Sequence, residues 1–136
     1  MNRRAFLSAA SATVVAVSGC LDGGLDSEDF DIGMSANAFL PNHLTIDVGE
    51  TVVWGNNGSR GHTVTADPDG IPDEATFFAS GDFDTESAAR ESWFDARSGN
   101  IAPGETYAHT FDVRGQHPYY CIPHEDAGMA GVIVVE

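Results

Sequence analysis

Apolar and polar residues alternate along most of the chain, the period-two pattern of strands that bury one face. Phe30, Ile32 and Met34 alternate, then Leu44, Ile46 and Val48 up to a Gly49-Glu50 turn, then the β-rich run Thr51-Val52-Val53-Trp54. After the break Gly55-Asn56-Asn57-Gly58 the pattern resumes in His62-Thr63-Val64-Thr65. Glu105 to Val113 sets Tyr107, His109, Phe111 and Val113 on one parity, His117 to Cys121 follows, and Gly131 to Glu136 brings in Val132, Ile133, Val134 and Val135. Six or seven short strands between Phe30 and Glu136 predict an all-β fold, an antiparallel β-sandwich. Between them Ala66 to Pro103 loses the alternation and mixes Pro68, Gly70, Pro72, Gly81 and Gly99 with Phe77, Phe78, Phe83, Trp93 and Phe94. This is expected to be a long irregular insertion over one face of the sandwich, with a short helix starting at Thr85-Glu86-Ser87-Ala88-Ala89-Arg90 and capped by Thr85.

The first 19 residues break the strand pattern and read as an address. Arg3 and Arg4 precede 13 small or apolar residues, Ala5 to Val17, too few for a bilayer span of about 20. Asn2-Arg3-Arg4-Ala5-Phe6-Leu7 resembles a twin-arginine export signal, and Val17-Ser18-Gly19-Cys20 a lipoprotein processing box. The expected division is therefore an export signal over 1–19, an acidic tether over 20–29 beginning at a lipidated Cys20, and a folded domain over 30–136.

Charge changes the picture further. The 136 residues carry 21 acidic and 6 basic groups, a net charge of −15, and every basic residue is arginine. Loss of the leader with its two arginines deepens this to −17. Such a surface has no means of neutralising phosphates, which excludes a nucleic-acid partner. It fits a protein of strong salt, where the Debye length contracts to about 3 Å at 1 M and self-repulsion is screened.

Lipidation of Cys20 would leave Cys121 as the lone thiol of an exported domain, where cysteines ordinarily pair. Its surroundings supply another use. Cys121, His124 and Met129 form C-x2-H-x4-M on a loop between two strands, with Pro123 and Gly128 preventing regular structure. Thiolate and thioether suit Cu(I), imidazole tolerates Cu(II), and a His2Cys set with a weak axial Met is the blue-copper arrangement. A second histidine has to come from elsewhere, and His62, just past the end of the Trp54 strand, is the best placed. His43 falls in a turn, His109 in mid-strand, and His117 on the parity of Tyr119 and Cys121; of these only His117 is a conceivable substitute ligand.

The block Tyr120-Cys121-Ile122-Pro123-His124 through Met129-Ala130-Gly131, with a lone histidine after Val52-Val53-Trp54-Gly55-Asn56, resembles the cupredoxins, the type 1 blue copper proteins. Within them it is similar to the halocyanins, plastocyanin-like membrane-anchored carriers of halophilic archaea. The resemblance covers about Phe30 to Glu136. It implies a Greek-key β-sandwich, one copper ion cycling between Cu(I) and Cu(II), ligands His62, Cys121, His124 and Met129, and one-electron transfer by a monomer. It also implies an extracytoplasmic, lipid-anchored location, with redox protein donors and acceptors of a membrane electron-transport chain as partners. One position departs from the pattern: many relatives place Asn after the first histidine ligand, bonded to the loop beside the cysteine, and here Thr63 stands there, with a hydroxyl able to substitute.

With all four ligand positions filled by protein there is no open site for a substrate, so a carrier is expected and not an enzyme. The electron port is expected at the edge of His124, flanked by an apolar patch of Ile122, Pro123, Ala127 and Ala130, with Glu125 and Asp126 at its rim. Three other readings use the same residues: a copper-delivery or buffering protein without redox cycling, a copper enzyme, which would need a second ligand cluster that the chain lacks, and a metal-free interaction module.

Overall fold

The computed structural model describes residues 25–136. The leader over 1–19 and Cys20 lie outside these residues. Eight strands form two four-stranded sheets. They are β1 (Ile32–Met34), β2 (Phe39–Leu40), β3 (His43–Ile46), β4 (Thr51–Gly55), β5 (Thr65–Ala66), β6 (Thr106–Thr110), β7 (Gly115–Tyr120) and β8 (Ala130–Val135). The first sheet runs β2-β1-β4-β6 and the second β3-β8-β7-β5.

The chain crosses between sheets early. From β1 and β2 it passes to β3 in the opposite sheet and returns to β4, so β4 lies parallel to β1, with Ile32 opposite Trp54. β3 likewise lies parallel to β8, with His43 opposite Val132. The sandwich is as expected, but the sheets are mixed and not wholly antiparallel. Alternation along a strand reports which face is buried and is the same whichever way the neighbour runs, while parallel partners need a crossover in place of a hairpin.

Trp54, fully buried, occupies the middle of the core. Its ring meets Tyr119 edge-on at 5.3 Å, and Tyr107, Phe78 and Phe111 surround it at 5.6, 6.2 and 6.3 Å. Phe78 is a contribution of the insertion. The backbone carbonyl of Phe78 accepts from Ala66 N–H, and Ser80 N–H donates to Val64 carbonyl, so the insertion first folds back along β5.

The insertion is then more regular than its composition suggests. Helix α1 covers Glu86–Ala96. Thr85 caps it as expected, its hydroxyl accepting from Ala88 N–H at 3.1 Å, and Arg97 ends it in the left-handed region at φ 57°. Ala89 and Trp93, one turn apart, turn inward and pack with Ala79 and Ile122. Only these two positions of the helix are buried, which is why its periodicity is faint in the sequence.

Candidate metal centre

His62 is delivered by a loop that folds around one buried carboxamide. β4 ends at Gly55, and Asn56 turns inward. Its Nδ2 donates to the carbonyls of Arg60 (2.6 Å) and Ile101 (2.8 Å), while its Oδ1 accepts from Gly58 N–H (3.0 Å). The loop is thereby drawn back until His62 and Ile101 exchange backbone hydrogen bonds of 3.2 and 2.7 Å. A side chain at Gly61 would collide with the Asn100 carboxamide, so glycine is what allows this close approach.

Cys121, His124 and Met129 come from the loop between β7 and β8. Ile122–Ala127 makes a tight 3-10 segment interrupted at His124, and Gly128 closes it with φ 82°. Cys121 N–H donates to the Met129 carbonyl (3.0 Å), and Met129 N–H to the His124 carbonyl (3.3 Å), so the loop is pinned by its own backbone across the hairpin. Met129 is buried in the same core cluster as Cys121.

The two loops meet at the thiol. Cys121 Sγ lies 3.6 Å from His62 Nδ1 and 3.5 Å from His124 Nδ1, and the three donor atoms all fall within 4.8 Å of one another. A first-row metal ion held by imidazole nitrogens and a thiolate at about 2.0–2.3 Å in a trigonal set separates its donors by roughly 3.5–3.8 Å. The residues present therefore fit one such ion. Thr63 N–H donates to Sγ at 3.4 Å, and the Thr63 hydroxyl accepts from Ile122 N–H at 2.8 Å. The hydroxyl thus makes the bond to the cysteine loop that is expected of it, and the preceding histidine and the cysteine are held as one unit.

Burial sets the protonation of the group. It lowers the His62 pKa to about 4, with the neighbouring His124 adding to the effect and the Ser35 carbonyl opposing it. His124 is lowered too, by burial and then by Arg60. At neutral pH both imidazoles are unprotonated and have lone pairs to offer. Burial pushes the Cys121 thiol upward against the pull of the Thr63 N–H.

The other histidines stand apart. His43 is exposed on β3, His109 stacks on Phe78 at 4.5 Å, and His117 is buried with Nε2 2.8 Å from the Val113 carbonyl. One expectation for the surface needs correcting. Ile122 is buried against Ala89 and Trp93, so the apolar rim beside the partly exposed His124 consists of Pro123, Ala127 and Ala130 without it. Glu125 stays at the rim, partly exposed, and is paired there with Arg90 of α1 at 2.7 Å.

A sequence profile described as copper binding proteins, plastocyanin/azurin family, matches residues 28–136. The chain belongs to the plastocyanin/azurin family. This cupredoxin is 37% identical to plastocyanin of Scenedesmus fuscus over 101 residues, covering 74% of this chain and 89% of that protein. It is 35% identical to plastocyanin of Ginkgo biloba over 98 residues, 72% of this chain and 87% of the other. Among solved structures, plastocyanin of the fern Dryopteris crassirhizoma superposes with a TM-score of 0.54 at 21% identity, over 77% of this chain and 98% of its own. An oxidised amicyanin variant does so with a TM-score of 0.56 at 21% identity, over 82% and 86%. The fold is thus the cupredoxin sandwich, and the protein is a plastocyanin-like blue copper electron carrier, not an enzyme, with one copper as its cofactor.

Asn56 and Arg90 are the residues that reading the sequence misses. Asn56 looks like one more turn former between two glycines, and nothing local distinguishes a carboxamide that points inward. Arg90 lies 35 positions from its partner Glu125, and a long-range ion pair leaves no periodic trace.

Proposed function

We propose that this cupredoxin is a membrane-anchored one-electron carrier of the halocyanin type, with copper held by His62, Cys121, His124 and Met129. The observation that supports it best is the convergence of two imidazole Nδ1 atoms on a buried thiol that also accepts a backbone N–H. Copper bound there supplies a one-electron couple whose two oxidation states can share a single set of ligands. The chain's part is to hold that set still. Thr63 restrains the thiolate and the His62 backbone together, the Met129 backbone restrains the other end of the loop, and core packing around Cys121 excludes water.

His62 and Cys121 have no exposed surface, while His124 is partly exposed. That pattern favours electron exchange through the His124 edge. A copper-delivery protein has to let an incoming ligand reach the metal, and two of these three donors are closed to one. On this reading the segment over 1–19 serves as an export signal and a lipid on Cys20 holds the carrier at the extracytoplasmic face of the membrane, where it works as a monomer among redox protein donors and acceptors.

The test is to add Cu(II) to the protein in high salt and record its visible spectrum and copper content. An intense blue thiolate band that bleaches reversibly on reduction is expected. A colourless protein without stoichiometric copper would overturn the copper assignment; mass spectrometry finding an unmodified Cys20 in the native protein would overturn the anchor.

A further inference from the structure

We infer that Arg90, on the insertion helix, is a positioning residue for the ligand loop. Its guanidinium makes a two-pronged contact with Glu125, Nη2 to Oε2 at 2.7 Å and Nη1 to Oε1 at 3.2 Å. Nη1 also donates to the Tyr120 hydroxyl at 3.0 Å, and that hydroxyl donates to Glu86 at 2.7 Å. Tyr120 immediately precedes Cys121, and Glu125 immediately follows His124. One side chain therefore grips the stretch from Cys121 to His124 on either side, from an element outside the loop.

The loop needs such a grip. From His124 to Gly128 it is partly or fully exposed, and His124 departs from helical backbone at φ −123°, ψ 19°. Its own ties are backbone bonds of 2.9 to 3.3 Å, three of which join residues only three to five positions apart. Arg90 adds a polar link to α1, whose Ala89 and Trp93 already pack on Ala79 of the insertion and on Ile122 at the start of the loop, and it extends that hold to the exposed half of the loop. A guanidinium suits this task because its planar fork fixes the orientation of a carboxylate as well as its distance. The stem is steadied in turn, with the guanidinium carbon 5.9 Å from the ring centres of both Phe94 and Tyr120. An exposed ion pair by itself contributes little to overall stability. The role assigned to Arg90 is local: it keeps His124 Nδ1 opposite Cys121 Sγ before any metal arrives. The inference rests on the copper reading for its purpose, while its physical content belongs to the metal-free protein.

The experiment compares wild type with R90M, R90K and E125Q by amide hydrogen exchange of the metal-free protein, followed by the copper dissociation rate of the loaded protein. In R90M the amides of Cys121, Gly128 and Met129 are expected to exchange at least tenfold faster while those of β4 and β6 keep their rates, and copper is expected to leave faster. R90K should recover part of the protection. E125Q, which leaves the Tyr120 contact in place, should show the Glu125 share of the R90M effect, and the double variant R90M/E125Q should add nothing beyond R90M, where that ion pair is already lost. Unchanged loop exchange in both R90M and E125Q overturns the inference. If R90M also loosens α1, E125Q decides: faster loop exchange with α1 still protected upholds it, and an unchanged loop overturns it. Failure of the wild type to take up copper would sink the functional proposal and leave the exchange result standing.

Discussion

Thr63 shows how much one hydroxyl can fix. It stands between a histidine and a valine whose backbone is committed to the fold, and it reaches across to the Ile122 N–H beside the cysteine. Thr63→Val keeps the shape and the N–H to Sγ but strands a buried donor, which should cost about 1–3 kcal/mol of stability. The measurement is the denaturation midpoint of metal-free protein, where Thr63→Ser, which keeps the accepting hydroxyl, should avoid most of the loss. The reduction potential of the variant should shift as well, since the bond orients the thiolate. The two histidines and the cysteine that converge were legible in the sequence because their chemistry and spacing survive without coordinates. The loop order that makes them converge was not: it depends on Asn56, whose three hydrogen bonds are spread over Gly58, Arg60 and Ile101.

At the level of elements, the strands were legible wherever a face alternates. β2 escaped notice because two residues cannot display a period, although Phe39 is buried edge-on to Tyr119 at 4.7 Å. The insertion is joined to the first sheet through the stack of Phe78 on His109 of β6. His109 is half-buried, and burial lowers its pKa, assisted by His117 from β7 and opposed by Asp112 beyond β6. A base depressed in the folded state is more easily protonated in the unfolded chain. Its contribution is therefore fully present above the unfolded pKa of about 6.5 and is lost as the pH falls below that toward the folded value. The urea midpoint of the metal-free protein should drop between pH 7.5 and pH 5.5. His109→Gln should flatten that drop in part, the remainder belonging to the two depressed imidazoles of the metal centre. Identical slopes in the two proteins would show that His109 is not involved.

For the molecule as a whole, the −15 charge and the position of its few cations act together. Among the described residues the arginines are Arg60, Arg90, Arg97 and Arg114, and two of them adjoin the metal centre: Arg60 acts on both imidazoles and Arg90 pairs with Glu125. The rest of the surface repels itself. Raising the salt from 0.1 M to 1 M shortens the Debye length from about 10 Å to about 3 Å, and the melting temperature should rise with it, by about 4–8 °C for each kcal/mol of repulsion removed. A melting temperature that is flat or falling over that range would mean that the acidic surface imposes no strain at low salt.

The parallel pairing of β3 with β8 bears on how the protein comes into being. β8 lies between β3 and β7, so the second sheet has a gap at its centre until Ala130–Val135 has been synthesised. β3 emerges from the ribosome early and must wait, unpaired, for a partner made nearly ninety positions later, His43 for Val132. The loop holding Cys121 and His124 is bounded by that same late strand. Until that strand is in place the chain has the separate donors but no complete second sheet to hold their loop opposite His62.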